Sequence, residues 1–253
     1  MIYYIKRFYK PMIDLHSHIL PGIDDGPRTL DESIEMCMAA HSDGIKTMLA
    51  TPHFNPPLYK TSQATVSELT GTLNQALKKQ GIGLQVLQGA EVVISPDIIK
   101  WVKTEGHLTI NKGRYIIIEF PPDVVPPNWQ GFLSNIQKNG LIPIIAHPER
   151  NPWFSANPDA LCEPVRNGAM VQITAMSVTG GFGKEVRTFS KYLLKNNLAH
   201  IIASDAHSAD LRPACLSEAV RRASQLIGEQ KALSLVIDTP SAIIGNTIIP
   251  QPC

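Results

Sequence analysis

No apolar run in this chain approaches the roughly 20 residues that span a membrane. Cysteine is scarce: the 253 residues hold only Cys37, Cys162, Cys215 and Cys253. No two of them lie close together and no C-x-x-C occurs, which argues against a disulfide framework and for reduced thiols. Charge of one sign is also missing. The 23 Lys+Arg and 22 Asp+Glu leave a net +1, so nothing points to a nucleic-acid groove or a membrane-surface patch. A small acidic substrate is still allowed, because bound metal can supply its own positive field. The N-terminus, MIYYIKRFYKP, lacks the unbroken apolar core of a signal peptide, since Lys6, Arg7 and Lys10 interrupt it. The expected compartment is the cytoplasm.

What is present is an α/β alternation. Hydrophobic residues make up 43% of the chain, enough for one full-sized core. Short apolar, β-branched runs recur: MIDLH from Met12, TMLATPH from Thr47, LQVLQGAEV from Leu84, YIIIEF from Tyr115, IPIIAHP from Ile142, MVQITA from Met170 and HIIASDAH from His200. They read as parallel strands buried on both faces. Helical patterns fill the gaps. The first, TLDESIEMCMAAHSDG, carries a capping box from Thr29 to Glu32 and stops near Gly44. In SPDIIKWVKTEG, Ser95 is the expected N-cap and Pro96 the first helical residue. The stretch from Leu216 to Asp238 reads as one or two helices that either close the sheet or form an interface. Seven strands alternating with helices give a parallel sheet with right-handed crossovers, open or closed into a barrel.

Metal-competent side chains fall at the C-terminal ends of six of these runs. His16 and His18 close the first, His53 the second, Glu91 the third, Glu119 the fourth, His147 the fifth, and Asp205 and His207 the seventh. In a parallel barrel those ends converge on one face. Imidazole and carboxylate without thiolate suit Mn, Fe, Zn or Mg clusters better than structural zinc. With one of Asp24 or Asp25 added, the set exceeds the three protein ligands of a mononuclear catalytic zinc, which implies two or three ions. Lone histidines in a helix (His41), a loop (His107) and a strand start (His200) are read as structural. Asp14, one pleat from His16, is read as structural or as the partner of a ligating imidazole. Arg150 and Arg212 follow His147 and His207 closely and suit phosphate binding.

With these residues assembled, the chain resembles the polymerase-and-histidinol-phosphatase (PHP) superfamily, and more closely the metal-dependent tyrosine-protein phosphatases of bacterial capsule and exopolysaccharide systems. The matching stretches are MIDLHSHILPGIDDGP, ATPHF, GAEV, IIIEFP, IPIIAHPERN, VQITAMSVTGGFGK and IIASDAHS with the following RP. The resemblance implies a distorted (β/α)7 TIM-like barrel of PHP type over residues 12–253 and three divalent ions, usually manganese, with iron, zinc or magnesium as alternatives. It assigns His16, His18, Glu91 and Asp205 to one ion, Glu91, Glu119 and His147 to a second, and Asp25, His53 and His207 to a third. It gives Arg150 and Arg212 the role of holding phosphate. It implies phosphotyrosine hydrolysis by a metal-activated hydroxide, on the tyrosine-rich tail of a bacterial tyrosine autokinase that controls polysaccharide export. Similar family members begin near Met12, so residues 1–11 are expected to be an extension or to precede the true start. Oligomeric state is left open.

Competing readings have specific weaknesses. Cys215 and Arg221 have the C-x5-R spacing of cysteine-dependent phosphatases, but the intervening LSEAV is helix-forming and lacks glycine. An amidohydrolase would not need Asp25, His53, Glu91 and Glu119 together, and no bridging lysine is evident on a middle strand. A PHP-type phosphatase of a small phosphomonoester such as histidinol phosphate is the nearest rival. A regulatory domain that binds the kinase without turnover is the non-enzymatic alternative.

Overall fold

Buried strands of the expected kind run through the computed structural model, which describes residues 11–249. The expected N-terminal extension lies outside the described residues except for Pro11. The strands are β1 (Met12–Ser17), β2 (Ile45–Ala50), β3 (His53–Phe54), β4 (Gln85–Gln88), β5 (Glu91–Val93), β6 (Tyr115–Glu119), β7 (Ile142–Ala146), β8 (Met170–Thr174) and β9 (Ile201–Ala203). All neighbours pair in parallel, in the orders β1-β2-β4 and β3-β5-β6-β7-β8-β9. Two expected strands are each interrupted once, at Thr51-Pro52 between β2 and β3 and at Gly89-Ala90 between β4 and β5. Backbone bonds carry the pairing across the breaks: Gly89 N–H donates to Ala50 O at 3.0 Å and Glu91 N–H to Pro52 O at 3.1 Å. Counted through the breaks, the seven strands are those of a distorted (β/α)7 barrel.

The last strand returns to the first. Asp205 N–H donates to His16 O and His18 N–H to Ala206 O, each at 2.8 Å. Lower down, the turn before the last helix fills the seam: Ile13 N–H donates to Val236 O at 2.9 Å and Ile202 N–H to Leu235 O at 3.1 Å. The region after Leu216 therefore closes the barrel. Two helices, Ser217–Ile227 and Glu229–Ser234, fill the expected stretch from Leu216 to Asp238, and a third, Asp238–Ile244, begins at its end.

Strand alternation divides the core. Tyr115, Ile117, Ile144, Met170, Ile201 and Ala203 pack in an inner cluster that Ile243 of the last helix joins. Their neighbours Ile116, Ile118, Ile145, Val171 and Ile202 pack in the larger outer cluster with the helices. This is the period-2 pattern of a sheet buried on both faces. The first helix, Leu30–Asp43, starts as its sequence predicts: Thr29 accepts the Glu32 N–H at 3.3 Å, and Gly44 ends it at φ 98°. The helix expected from Pro96 begins two residues later, at Ile98, because the Ser95 hydroxyl accepts the Asp97 N–H at 3.1 Å and holds a turn there. Among the described residues, no helix is long and apolar enough to cross a membrane.

Asp14 ties this seam together. Fully buried, it accepts the Ser204 N–H at 2.9 Å, the Ser204 hydroxyl and the His16 N–H at 3.4 Å. Burial pushes its carboxyl up to about 6 in spite of these bonds. Its role is structural, and it does not reach the His16 ring. Asp14→Ala leaves the Ser204 N–H buried without an acceptor and the Ser204 hydroxyl with only the longer bond to His16 O at 3.4 Å. It is expected to destabilise the protein by about 2–4 kcal/mol, read as a lowered urea midpoint at unchanged m-value.

Candidate metal centre

Strand register brings the expected residues into one bowl. Pairing of β3 with β5 sets His53 beside Glu91, and pairing of β5 with β6 sets Val93 beside Glu119. His147 and Asp205 follow β7 and β9 with φ of 32° and 52°. That left-handed conformation is strained for side chains of this kind, and such strain gathers where function constrains the backbone.

At the floor, two imidazoles and two carboxylates gather, and the donors of His16, His18 and Glu91 all lie within 4.8 Å of one another. His16 Nε2 lies 3.3 Å from His18 Nε2, 3.3 Å from Glu91 Oε2 and 3.5 Å from Asp205 Oδ1. His18 Nε2 lies 3.4 Å from both carboxylate oxygens. Ligands held about 2.0–2.1 Å from a tetrahedral ion are separated by about 3.3–3.4 Å. The His16, His18 and Glu91 donors thus have the chemistry and the spacing for a divalent cation, and Asp205 Oδ1 lies beside both imidazoles. A second group joins Asp25 Oδ1 to His207 Nε2 at 3.3 Å and to His53 Nε2 at 3.5 Å, with His18 beside it. The third expected trio is drawn together less directly. Glu91 Oε1 meets His147 Nε2 at 2.6 Å, whereas Glu119 Oε2 approaches His53 Nδ1 at 3.4 Å, and that nitrogen is also 3.1 Å from Glu91 Oε2. His53 therefore faces two of the groups at once.

Charge in the bowl is tightly coupled. Burial opposes the ionised form of Glu91, but His16 and His147 outweigh it and hold the carboxyl well below its usual range. Asp205 is likewise held well below, with Arg150 and His16 overcoming burial. His18 is raised well above the ordinary imidazole value, as bonds to Asp205 and Asp24 overcome burial. His16 is raised by Glu91 and Asp205 against the same burial. His53 is raised to about 10, its bonds to Glu119 and Glu91 outweighing desolvation. His207 is pushed down by burial, and its bond to Asp25 holds that carboxyl below its usual range. Protons on the imidazoles thus balance carboxylates where cations could.

Arg150 Nη1 and Arg212 Nη2 both bond Asp205 Oδ2, at 2.8 and 2.6 Å. They line a cavity of about 370 Å³ with Asp25, His53, Glu119 and His207. The other three histidines have different partners: His41 meets Lys46 Nζ at 2.6 Å, His107 meets the Thr61 hydroxyl at 2.9 Å, and His200 Nδ1 accepts the Val171 N–H at 3.1 Å.

Three roles escaped the sequence reading. Asp24 is not among the clustered donors; its Oδ2 accepts from His18 Nδ1 at 2.7 Å and from the His53 N–H at 3.1 Å. It fixes the His18 ring with Nε2 turned inward, as carboxylates behind metal-binding histidines do. Gln172 does the same for His16, at 2.9 Å from its Nδ1. A polar residue inside the apolar run MVQITA was the available signal. Phe182 packs against both arginines, with Arg150 Cζ 5.3 Å and Arg212 Cζ 6.0 Å from its ring centroid.

A family model for capsular polysaccharide synthesis, CpsB/CapC, matches residues 12–245. The chain belongs to the CpsB/CapC family. It is 40% identical over 241 residues to the tyrosine-protein phosphatase YwqE of Bacillus subtilis strain 168, covering 95% of each chain. It is 30% identical over 243 residues to the tyrosine-protein phosphatase CpsB of Streptococcus pneumoniae, covering 94% of this chain and all of that one. A solved structure from work on YwqE and CpsB, described as metal-dependent tyrosine phosphatases, superposes with TM-score 0.90 at 40% identity, over 96% of this chain and 99% of that one. A histidinol phosphate phosphatase from Lactococcus lactis shares the fold, with TM-score 0.57 at 14% identity over 87% and 93% of the two chains.

Because raised imidazoles must lose protons before they can bind a cation, metal uptake should release protons and tighten as pH rises from about 6 to 9. Calorimetric titration with Mn²⁺ in buffers of different ionisation enthalpy is expected to show proton release at pH 7. Buffer-independent heats would contradict this charge balance.

Proposed function

We propose that this chain is a metal-dependent tyrosine-protein phosphatase that hydrolyses phosphotyrosine in a polypeptide. The observation that carries the reading is the buried trio of His16, His18 and Glu91, with its ion-sized spacing and with Asp205 beside both imidazoles. In this reading those four residues hold one ion. Glu91, Glu119 and His147 hold a second, with His147 turning from its bond to Glu91. Asp25, His53 and His207 hold a third. Oxygen and nitrogen donors without sulfur favour manganese or iron, and we take manganese as the native metal. Divalent ions supply Lewis acidity and bring the pKa of water towards neutrality.

The chain's own residues do the rest. Arg150 and Arg212 stand at the cavity with their guanidinium groups steadied by Asp205. Planar, permanently charged donors can pair with two phosphoryl oxygens and counter the charge that builds on them during in-line displacement. A tyrosine leaving group, with a pKa of about 10, needs little protonation. The natural substrate in this reading is the tyrosine-rich tail of a bacterial tyrosine autokinase, met in the cytoplasm.

Cysteine chemistry finds no support. Burial and Asp43 push the Cys215 thiol up, against the thiolate that a nucleophile requires, and Arg221 is engaged with Glu218.

Chelation is expected to abolish hydrolysis of a phosphotyrosine peptide, and Mn²⁺ to restore it. Arg150→Ala should lower kcat/KM by about 100-fold or more, while Cys215→Ser keeps wild-type turnover. Histidinol phosphate, assayed alongside, should be the poorer substrate. Full activity after chelation, or turnover of histidinol phosphate in place of the peptide, would overturn the reading.

A further inference from the structure

Phe182 has no place in either hydrophobic core cluster, yet it is half-buried and lines the metal-site cavity. The other phenylalanine of that cavity, Phe120, is buried at 5% exposure and packs edge-on against Trp129 and Phe154. Phe182 is instead presented by a loop, Gly180-Gly181-Phe182-Gly183. Gly180 and Gly183 adopt φ of 102° and 94°, and a Cβ on Gly181 would lie 2.7 Å from Met176 Cε. The left-handed backbone at Gly180 and Gly183 favours glycine, whereas a Cβ at Gly181 would only displace the Met176 methyl. Backbone bonds pin the loop: the Gly180 and Gly181 N–H groups donate to Met176 O at 2.9 and 2.8 Å, and the Gly183 N–H to Gly180 O at 3.0 Å. A rigid loop that carries one large side chain, aimed at a charged cavity, is an expensive way to fill space.

Position explains it. The two guanidinium groups near Phe182 are the cavity's anion donors. The aryl group of an aryl phosphate begins one ester oxygen from phosphorus. A phosphoryl group held by both arginines therefore brings that ring within stacking range of Phe182, about 4.5–7 Å between centroids. An alkyl phosphate offers no such face. We propose that Phe182 is a specificity-determining residue whose ring packs against the aryl group of the substrate, so that the site prefers aryl over alkyl phosphomonoesters. The proposal rests on the phosphatase reading above and adds the residue that selects the carbon part of the substrate. The contact to the arginines orients the ring, and the aryl contact is the selective one.

The test compares phenylphosphonate and methylphosphonate, which are not hydrolysed, by calorimetric titration of the Mn²⁺-loaded protein. Wild type is expected to bind phenylphosphonate about tenfold more tightly. Phe182→Leu should bring that ratio below about threefold, with Phe182→Met as a second variant that also lacks the ring, while Phe182→Tyr keeps the wild-type ratio. An unchanged ratio in the ringless variants would overturn the proposal. So would equal weakening of both ligands, which would make the ring only a brace for Arg150 and Arg212. Wild-type turnover of a phosphotyrosine peptide is measured in parallel. If the ratio depends on Phe182 but the peptide is not hydrolysed, the phosphatase reading fails and aryl recognition stands. If the peptide is hydrolysed and the ratio ignores Phe182, only this proposal fails.

Discussion

Two carboxylates buried in the mouth of a barrel set the terms for this molecule. Glu91 and Asp205 are each 1% exposed, and their charge cannot be left to water. Uncompensated, a buried carboxylate would take up a proton instead of staying ionised. Here histidines surround both groups, two arginines also bond Asp205, and the two carboxylates stay ionised. Every other feature of the site answers to that demand: the imidazoles turned inward, the guanidinium groups on Asp205 Oδ2, and the outer partners that fix each ring.

Asp205 is where the demands meet. One oxygen faces His16 and His18, and the other takes both arginines. A cation in the cage and an anion on the arginines would thus share one carboxylate. The same residue helps close the barrel, since its N–H bonds His16 O, and the next residue accepts from the His18 N–H. Site and fold are therefore linked: whatever binds the folded cage stabilises the seam between first and last strands by mass action.

Much of this was legible in the sequence because parallel strands put distant residues on one face. Repeated strand-end His, Asp and Glu residues marked the bowl before any coordinates, and the apolar runs marked the strands. What stayed hidden depends on direction more than on residue type. Asp24 and Asp25 are adjacent and chemically alike; only the turn that bonds Asp24 Oδ1 to the Gly26 N–H shows which one stands behind His18. Asp14 reads from sequence as structural or as the partner of a ligating imidazole, but the direction of the His16 ring puts Gln172 behind it instead. The seam-filling turn at Leu235 and Val236 was invisible because backbone groups carry its bonds, while its buried apolar side chains look like any other core residues. Phe182 sat within a recognised stretch, but spacing could not reveal its two arginine neighbours.

The central claim is that the cluster of His16, His18 and Glu91, with Asp205 beside it, is an ion site. Crystals grown with Mn²⁺ and measured at the manganese absorption edge test it most directly. The account predicts an anomalous peak between His16 Nε2, His18 Nε2, Glu91 Oε2 and Asp205 Oδ1. Manganese-dependent turnover in a crystal form with no peak at that position would contradict it.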